Sequence, residues 1–335
     1  MKPNLPVSPL TTILALALFA FAATARAGVE DKITKSYEVA PGGQLSVEVD
    51  RGSIVVRTAD RKSVGIEVIR KAGGNEAKAE NVLKAHIVTT TQDGSKVEVR
   101  ASYTGPSGSG WLGRSPDLQV SYVLTIPKEF DVNLKTAGGN IKVAELTGKT
   151  HVRTSGGNLA LENLAGPVSA RTSGGDIRLI GCQGAVDLGT SGGKLNLSDI
   201  KGELTAKTSG GSIHANKLAG KAVLKTSGGS IEAADIKGSI EAVTTGGNID
   251  VSLLEQPSGD CSFKTSGGNA TVALGEKVAV DVDLHTSGGR VATEFPVVTV
   301  IYGEQAQHQI RGKVNGGGPL VTAHTSGGNV RLLKN

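Results

Sequence analysis

Apolar and polar residues alternate along most of this chain, in short runs that restart at a fixed distance. Between residues 141 and 154 the apolar positions are Ile141, Val143, Leu146 and Val152. One unit later they are Leu159, Leu161, Leu164, Val168 and Ala170, and two units beyond that Leu195, Leu197, Ile200, Leu204 and Ala206. Alternation with period two predicts β-strands buried on one face. Each unit holds two short strands, one around "NIKV" and one ending at a Thr, joined by Gly-containing turns.

The restart is marked by a tetrad. It reads TAGG at Thr136, TSGG at Thr154, Thr172, Thr190, Thr208 and Thr226, and TTGG at Thr244, always 18 residues apart. TSGG returns at Thr265, Thr286 and Thr325, after intervals of 21, 21 and 39 residues. The segment "LLEQPSGD" accommodates the first three-residue insertion. A two-strand unit of this size cannot bury its apolar face alone, whereas stacked copies can. The pattern therefore predicts an all-β, single-chain parallel β-solenoid. About eleven coils, each about 4.8 Å from the next, would make residues 136–335 a rod roughly 50 Å long.

The Gly-Gly pair reads as a corner at which glycine supplies positive φ angles. The tetrad Thr faces inward, where a stack of hydroxyls can hydrogen-bond along the axis. "KTSGG" also resembles a phosphate loop, but that loop needs G-x-x-x-x-G-K-[ST] between a strand and a helix. "GKAVLKTS" has Lys225 where the second Gly belongs, and "GAVDLGTS" lacks the Lys.

Both ends depart from the repeat. Residues 1–27 carry Lys2, the apolar run "TTILALALFAFAATA" and "ARA" at Ala25 to Ala27, the order of a secretory signal peptide. Cleavage after Ala27 or Ala25 fits. The apolar run is short for a membrane span. The expectation is an exported protein of the periplasm, cell surface or medium. Residues 28–135 are expected to form an N-terminal cap. In it "LSVEVDRGSIVV" is a degenerate first coil, "NEAKAENVLKAHIV" (75–88) the one helix, and "KVEVRASY" and "DLQVSYVLTI" a hairpin. Residues 136–335 form the solenoid proper. Near its end "TEFPVVTVIYGEQAQHQIRGKVNGGGPLVTAH" predicts a hairpin excursion, followed by a final coil.

Composition then narrows the chemistry. Without Lys2 and Arg26 the chain has 34 bases against 31 acids. That balance is too near neutral to imply nucleic acid. Cys182 falls in the inward Leu146/Leu164 column and Cys261 on a strand four coils further on. Their separation of about 19 Å exceeds the limit of about 7 Å for a disulfide. Two buried free thiols are expected.

The strongest outward feature is the column preceding each tetrad Thr: Lys135, Arg153, Arg171, Gly189, Lys207, Lys225, Val243, Lys264, His285 and His324. Its bases could track an anionic polymer. Where the column lacks a base, an acid stands two residues earlier, at Asp187 and Glu241, which suits a solvated face instead. Trp111, in the loop "TGPSGSGWLGRSP", is the candidate contact for a protein partner or is folded onto the rod. No aromatic platform for sugars occurs in the repeats before Phe263, which is phased inward. The acids Glu145, Glu162, Asp176, Asp199, Asp235 and Asp250 scatter among columns. Asp199 and Asp235, about 10 Å apart, form no supported glycosidase pair. His285 and His324 share a phase and could form a metal pair, and Asp281 and Asp283 could form a weak Ca²⁺ site; solvated side chains suit both. No catalytic, cofactor or metal residue is assigned.

Taken together, "YEVAPGGQLSVEVDRGSIVV", "YVLTIPKEFDVNLKTAGGNI", the tandem "TSGGNI" corners and "GKVNGGGPLVTAHTSGGNVRL" resemble a bacterial "putative adhesin" family of β-strand-repeat domains. The resemblance spans nearly the whole mature chain. It implies a β-solenoid, export and no assigned enzyme activity. The expected role is an adhesin-like binding or scaffold surface at the cell envelope, monomeric and without cofactor, facing an envelope glycan. The alternatives are a periplasmic scaffold or sensor for an envelope protein and, remotely, a polysaccharide-active enzyme.

Overall fold

A computed structural model describes residues 28–105, 117–296, 298–299 and 307–335. The signal segment and Trp111 lie outside the described residues. Twelve parallel strands in each of two facing sheets make twelve coils. Sheet A gains two antiparallel strands at one end, and sheet B gains one antiparallel strand at that end and two at the other. In a repeat coil the chain runs up sheet B, as in Thr150–Thr154, turns at the tetrad, and runs along sheet A, as in Leu159–Ala165. A second corner then leads to the next sheet B strand. Register advances by one repeat: Leu159 pairs with Ile177 and Leu164 with Cys182. Inward Leu, Ile, Val and Ala from both sheets close one continuous core, with Tyr122, Phe130 and Phe263 its largest fully buried side chains.

The tetrad works differently from the expectation. None of its glycines lies in the left-handed φ range. The second Gly is instead required by close approach. A Cβ on Gly157 would stand 2.0 Å from the Gly139 carbonyl oxygen one coil below, whereas Gly156 faces open space. The buried Thr hydroxyls do not bond one another. Thr154 Oγ1 donates to Gly139 O at 2.9 Å and accepts from Gly157 N–H at 3.3 Å. This unit recurs at Thr172, Thr190 and Thr208. Left-handed geometry belongs to the opposite corner, at Glu145, Asn163, Gly181, Asp199, Lys217 and Asp235. There Asn, Asp and Gly are the residue types that tolerate it. This explains Asn163, Gly181, Asp199 and Asp235 in that column, but not Glu145 or Lys217.

Spatial and chain order part company at both ends. The first coil in sequence, residues 43–59, is the second in space. It lies between the coil of Phe130–Thr136 and Ile141–Ala144 and an outer coil made by Lys96–Tyr103 and Leu118–Pro127. Those last two strands, expected as a hairpin, therefore belong to opposite sheets and pair with the first coil instead. The last coil in sequence, Leu320–Thr325 and Val330–Lys334, is likewise next to last in space. It lies between the coil of residues 261–274 and that of residues 280–293. Thr325 Oγ1 bonds Gly268 O, and Thr286 Oγ1 bonds Gly328 O, so the Thr–Gly ladder runs unbroken through the insertion. The boundary expected at residue 135 falls within Phe130–Thr136, and both sheets run through it.

Antiparallel strands and a helix cover the ends. Ser63–Ala72 lies on Leu118–Pro127, and Val29–Glu38 lies on Ser63–Ala72. His86–Asp93 lies on Lys96–Tyr103. Helix Glu76–Ala85, capped by Asn75, crosses from sheet A to sheet B and buries Ala79, Val82 and Leu83. It is shorter than its predicted span, because His86 begins an edge strand. At the far end Gln309–Val314 pairs antiparallel with Val280–Thr286 and with Val298–Thr299. Such covers hide backbone groups that would otherwise recruit another strand.

Candidate functional site

The outward column of sheet B is a true ladder. Strand register places Lys135, Arg153 and Arg171 side by side, then Gly189, Lys207, Lys225, Val243 and Lys264. His324 comes next and His285 last, reversed by the inserted coil. Half of the bases are neutralised locally. Lys135 pairs with Glu48 at 2.6 Å and Lys225 with Glu241 at 2.7 Å, and Arg171 pairs with Asp187. Among the described residues, Arg153, Lys207 and Lys264 have no carboxylate within 4 Å, and all three are exposed. Each is three coils from the next, about 14 Å.

The remaining candidates are less well assembled. His285 and His324 meet edge to face with ring centroids 5.8 Å apart. Arg311 holds Asp283 at 3.0 Å, and Asp283 Oδ1 is 3.9 Å from His324 Nε2. Burial, outweighing Asp283, holds His324 below its ordinary value. Asp281 instead accepts a long bond from Gly318 N–H. Among the described residues no three His, Cys, Asp or Glu side chains are grouped to hold a metal ion. Cys182 and Cys261 are both buried and free, on opposite sheets. Burial pushes the Cys182 thiol up to about 11 and also raises that of Cys261. Both are poor nucleophiles.

The structure adds a feature that sequence reasoning missed. The outward face of sheet A carries a groove of about 670 Å³. One wall is the column Arg178, Asn196, His214, Glu232, Asp250 and Thr271, one residue per coil. The other is short: Ser198, Asn216, Ala234, Ser252 and Ala273, bounded by Ile180 at one end and Leu333 beyond the other. His214 Nδ1 lies 2.9 Å from Glu232 Oε2. Its signal in the sequence is the run of short side chains that repeats at the tetrad spacing.

No helix among the described residues is long and apolar enough to cross a membrane. No curated protein matches the chain. Among solved structures, a putative adhesin from Bacteroides fragilis is 12% identical, with 91% of this chain and 97% of that one covered and a TM-score of 0.38. A putative cell adhesion protein from Clostridium sporogenes is 11% identical over 91% and 100%, with a TM-score of 0.21. A putative lipid binding protein from Parabacteroides distasonis is 14% identical over 91% and 97%, with a TM-score of 0.30. Likeness at these scores identifies no ligand. The family model matches residues 43–333, which takes in both displaced end coils: this chain belongs to the Toastrack DUF4097 family.

Proposed function

We propose that the protein is an exported, non-enzymatic rod that binds an anionic polymer of the cell envelope along sheet B. The observation that carries this reading is the line of three unpaired, exposed bases, Arg153, Lys207 and Lys264, evenly spaced along one rigid face. A flexible polyanion can meet all three at once, and the rigid sheet holds them without a loss of backbone freedom on binding. The paired bases Lys135, Arg171 and Lys225 contribute less, because their charge is already answered. Membership of a family without an assigned reaction is consistent with a binding role.

The test is salt-dependent binding of residues 28–335 to envelope polyanions and whole cells. Replacing Arg153, Lys207 and Lys264 with Glu should abolish binding. Replacing Arg171 and Lys225 should weaken it less. Equal losses from both sets would reduce the column to a solvated face.

A further inference from the structure

The two faces of the rod differ in chemistry. Among the described residues of sheet A, the only two acids in adjacent coils of one outward column are Glu232 and Asp250. Like charges side by side in a sheet are destabilising. Glu232 is answered only by His214, and Asp250 has no base within 4 Å among the described residues. They lie in the middle of the groove. Arg178 stands at one end and Arg331 beyond the other, so the groove is near neutral overall with an acidic centre.

Its other polar groups are amides and hydroxyls: Asn196, Asn216, Ser198, Ser252 and Thr271. They both donate and accept. Four of the six coils carry such a group, at Asn196 and Ser198, Asn216, Ser252 and Thr271, and successive coils are about 4.8 Å apart, close to the rise of one sugar residue in an extended chain. The groove is several coils long and open at its surface, so it fits a linear chain better than a compact ligand. With no Phe, Tyr or Trp in it, each sugar would contribute little, and affinity must accumulate along the chain.

We propose that this groove binds an extended aminosugar chain, with a free amine seated at Glu232 and Asp250. The site is independent of the basic column on sheet B. A rod with both would bridge an acidic polymer and an amine-bearing one.

The experiment is calorimetric titration of residues 28–335 with glucosamine oligomers of two to eight units, in free-amine and N-acetylated forms. The free-amine chains should bind at least tenfold more tightly. Affinity should rise with length until the groove is filled at about five units. Glu232→Gln with Asp250→Asn should remove the preference for the amine. Ser198→Leu with Ser252→Leu, which fills the short wall, should remove binding of both forms. Circular dichroism of each variant would establish that the fold is kept. Charge reversal at Arg153, Lys207 and Lys264 should leave these affinities unchanged. Equal binding of the two forms, no binding of either, or wild-type affinity in the Glu232/Asp250 variant would overturn the proposal.

Discussion

The middle of the rod and its two ends are built from the same kind of coil, yet they solve different problems. In the middle, each coil follows its neighbour in sequence and repeats its contacts. The Thr172 hydroxyl bonds Gly157 O just as the Thr190 hydroxyl bonds Gly175 O. At the ends, the coil nearest each chain terminus is clasped between two others that lie further inside the sequence. The middle shows that a local rule can be copied without limit. The ends show that stopping the copies requires long-range contacts.

The sharpest way to break the comparison is deletion. Removing residues 173–190 joins Thr172 to Ser191, restores a TSGG corner and takes out one whole coil. Nearest-neighbour stacking predicts a loss within about 2 kcal/mol. Removing residues 319–335 empties a slot between two coils, and we expect a loss above about 5 kcal/mol in urea unfolding, beyond ordinary substitutions. If the truncated protein unfolds like its parent, coil 280–293 has slid onto coil 261–274 and the clasp is dispensable.

A smaller effect tests the copied rule. Gly157→Ala places a methyl group 2.0 Å from a backbone oxygen that cannot retreat, so about 3 kcal/mol or more should be lost. Gly156→Ala meets nothing and should stay within about 0.5 kcal/mol. Equal melting points for the two would refute close approach as the reason for the second Gly. Smaller again is Thr190→Val, which leaves the Gly175 carbonyl and the Gly193 N–H without their hydroxyl partner. About 1–3 kcal/mol is expected, with Thr190→Ser close to wild type.

The smallest effect concerns pH and separates the ends from the middle. His86, the C-cap of the helix, is buried; its Nε2 lies 3.3 Å from the Tyr122 hydroxyl, and Arg70 donates to its carbonyl. Burial, aided by Arg70 and Arg51 against Asp50, depresses its protonation below the ordinary 6.5. His324 is depressed in the same direction at the other end. A neutral imidazole is thus favoured in the folded state. This contribution is complete above about pH 6.5 and is lost as pH falls through that value toward the lower folded ones. Hydrogen-exchange protection factors, corrected for the slower intrinsic exchange in acid, should therefore fall at pH 5 in residues 76–93 and 320–325 before they do in residues 150–237. A uniform fall would contradict this.

Much of the middle was legible because its physics is local. The 18-residue period, the alternation and the inward phase of Thr154, Cys182 and Phe263 all follow from one pattern. The basic column followed from the same phase. Its ion pairs were half legible: Asp187 and Glu241 stand beside the column in the sequence, but contact with Arg171 and Lys225 depends on rotamers. The end coils were not legible. Every coil offers the same edge to its neighbours, so periodicity states that like pairs with like and says nothing of which copy comes next. "KVEVRASY" and "DLQVSYVLTI" alternate as a hairpin would, and only the edges offered by residues 43–59 decide otherwise. The groove was legible only in part: its short side chains repeat in the sequence at Ser198, Asn216, Ala234 and Ser252, but a hollow also depends on how large their neighbours are and which way they lean.

The clasped end coils also determine how the rod answers a pull. In an ordinary stack, tension on the last residue would peel the outermost coil, breaking one ladder bond at a time. Here Val330–Lys334 is bonded along both edges, to Ala270–Leu274 and to Val291–Thr293. Gly43–Val49, the first strand of the first coil in sequence, is held on both sides in the same way. Tension on either terminus, once it reaches these coils, must shear two ladders together. Each chain end therefore leads into a coil that resists extraction on both sides.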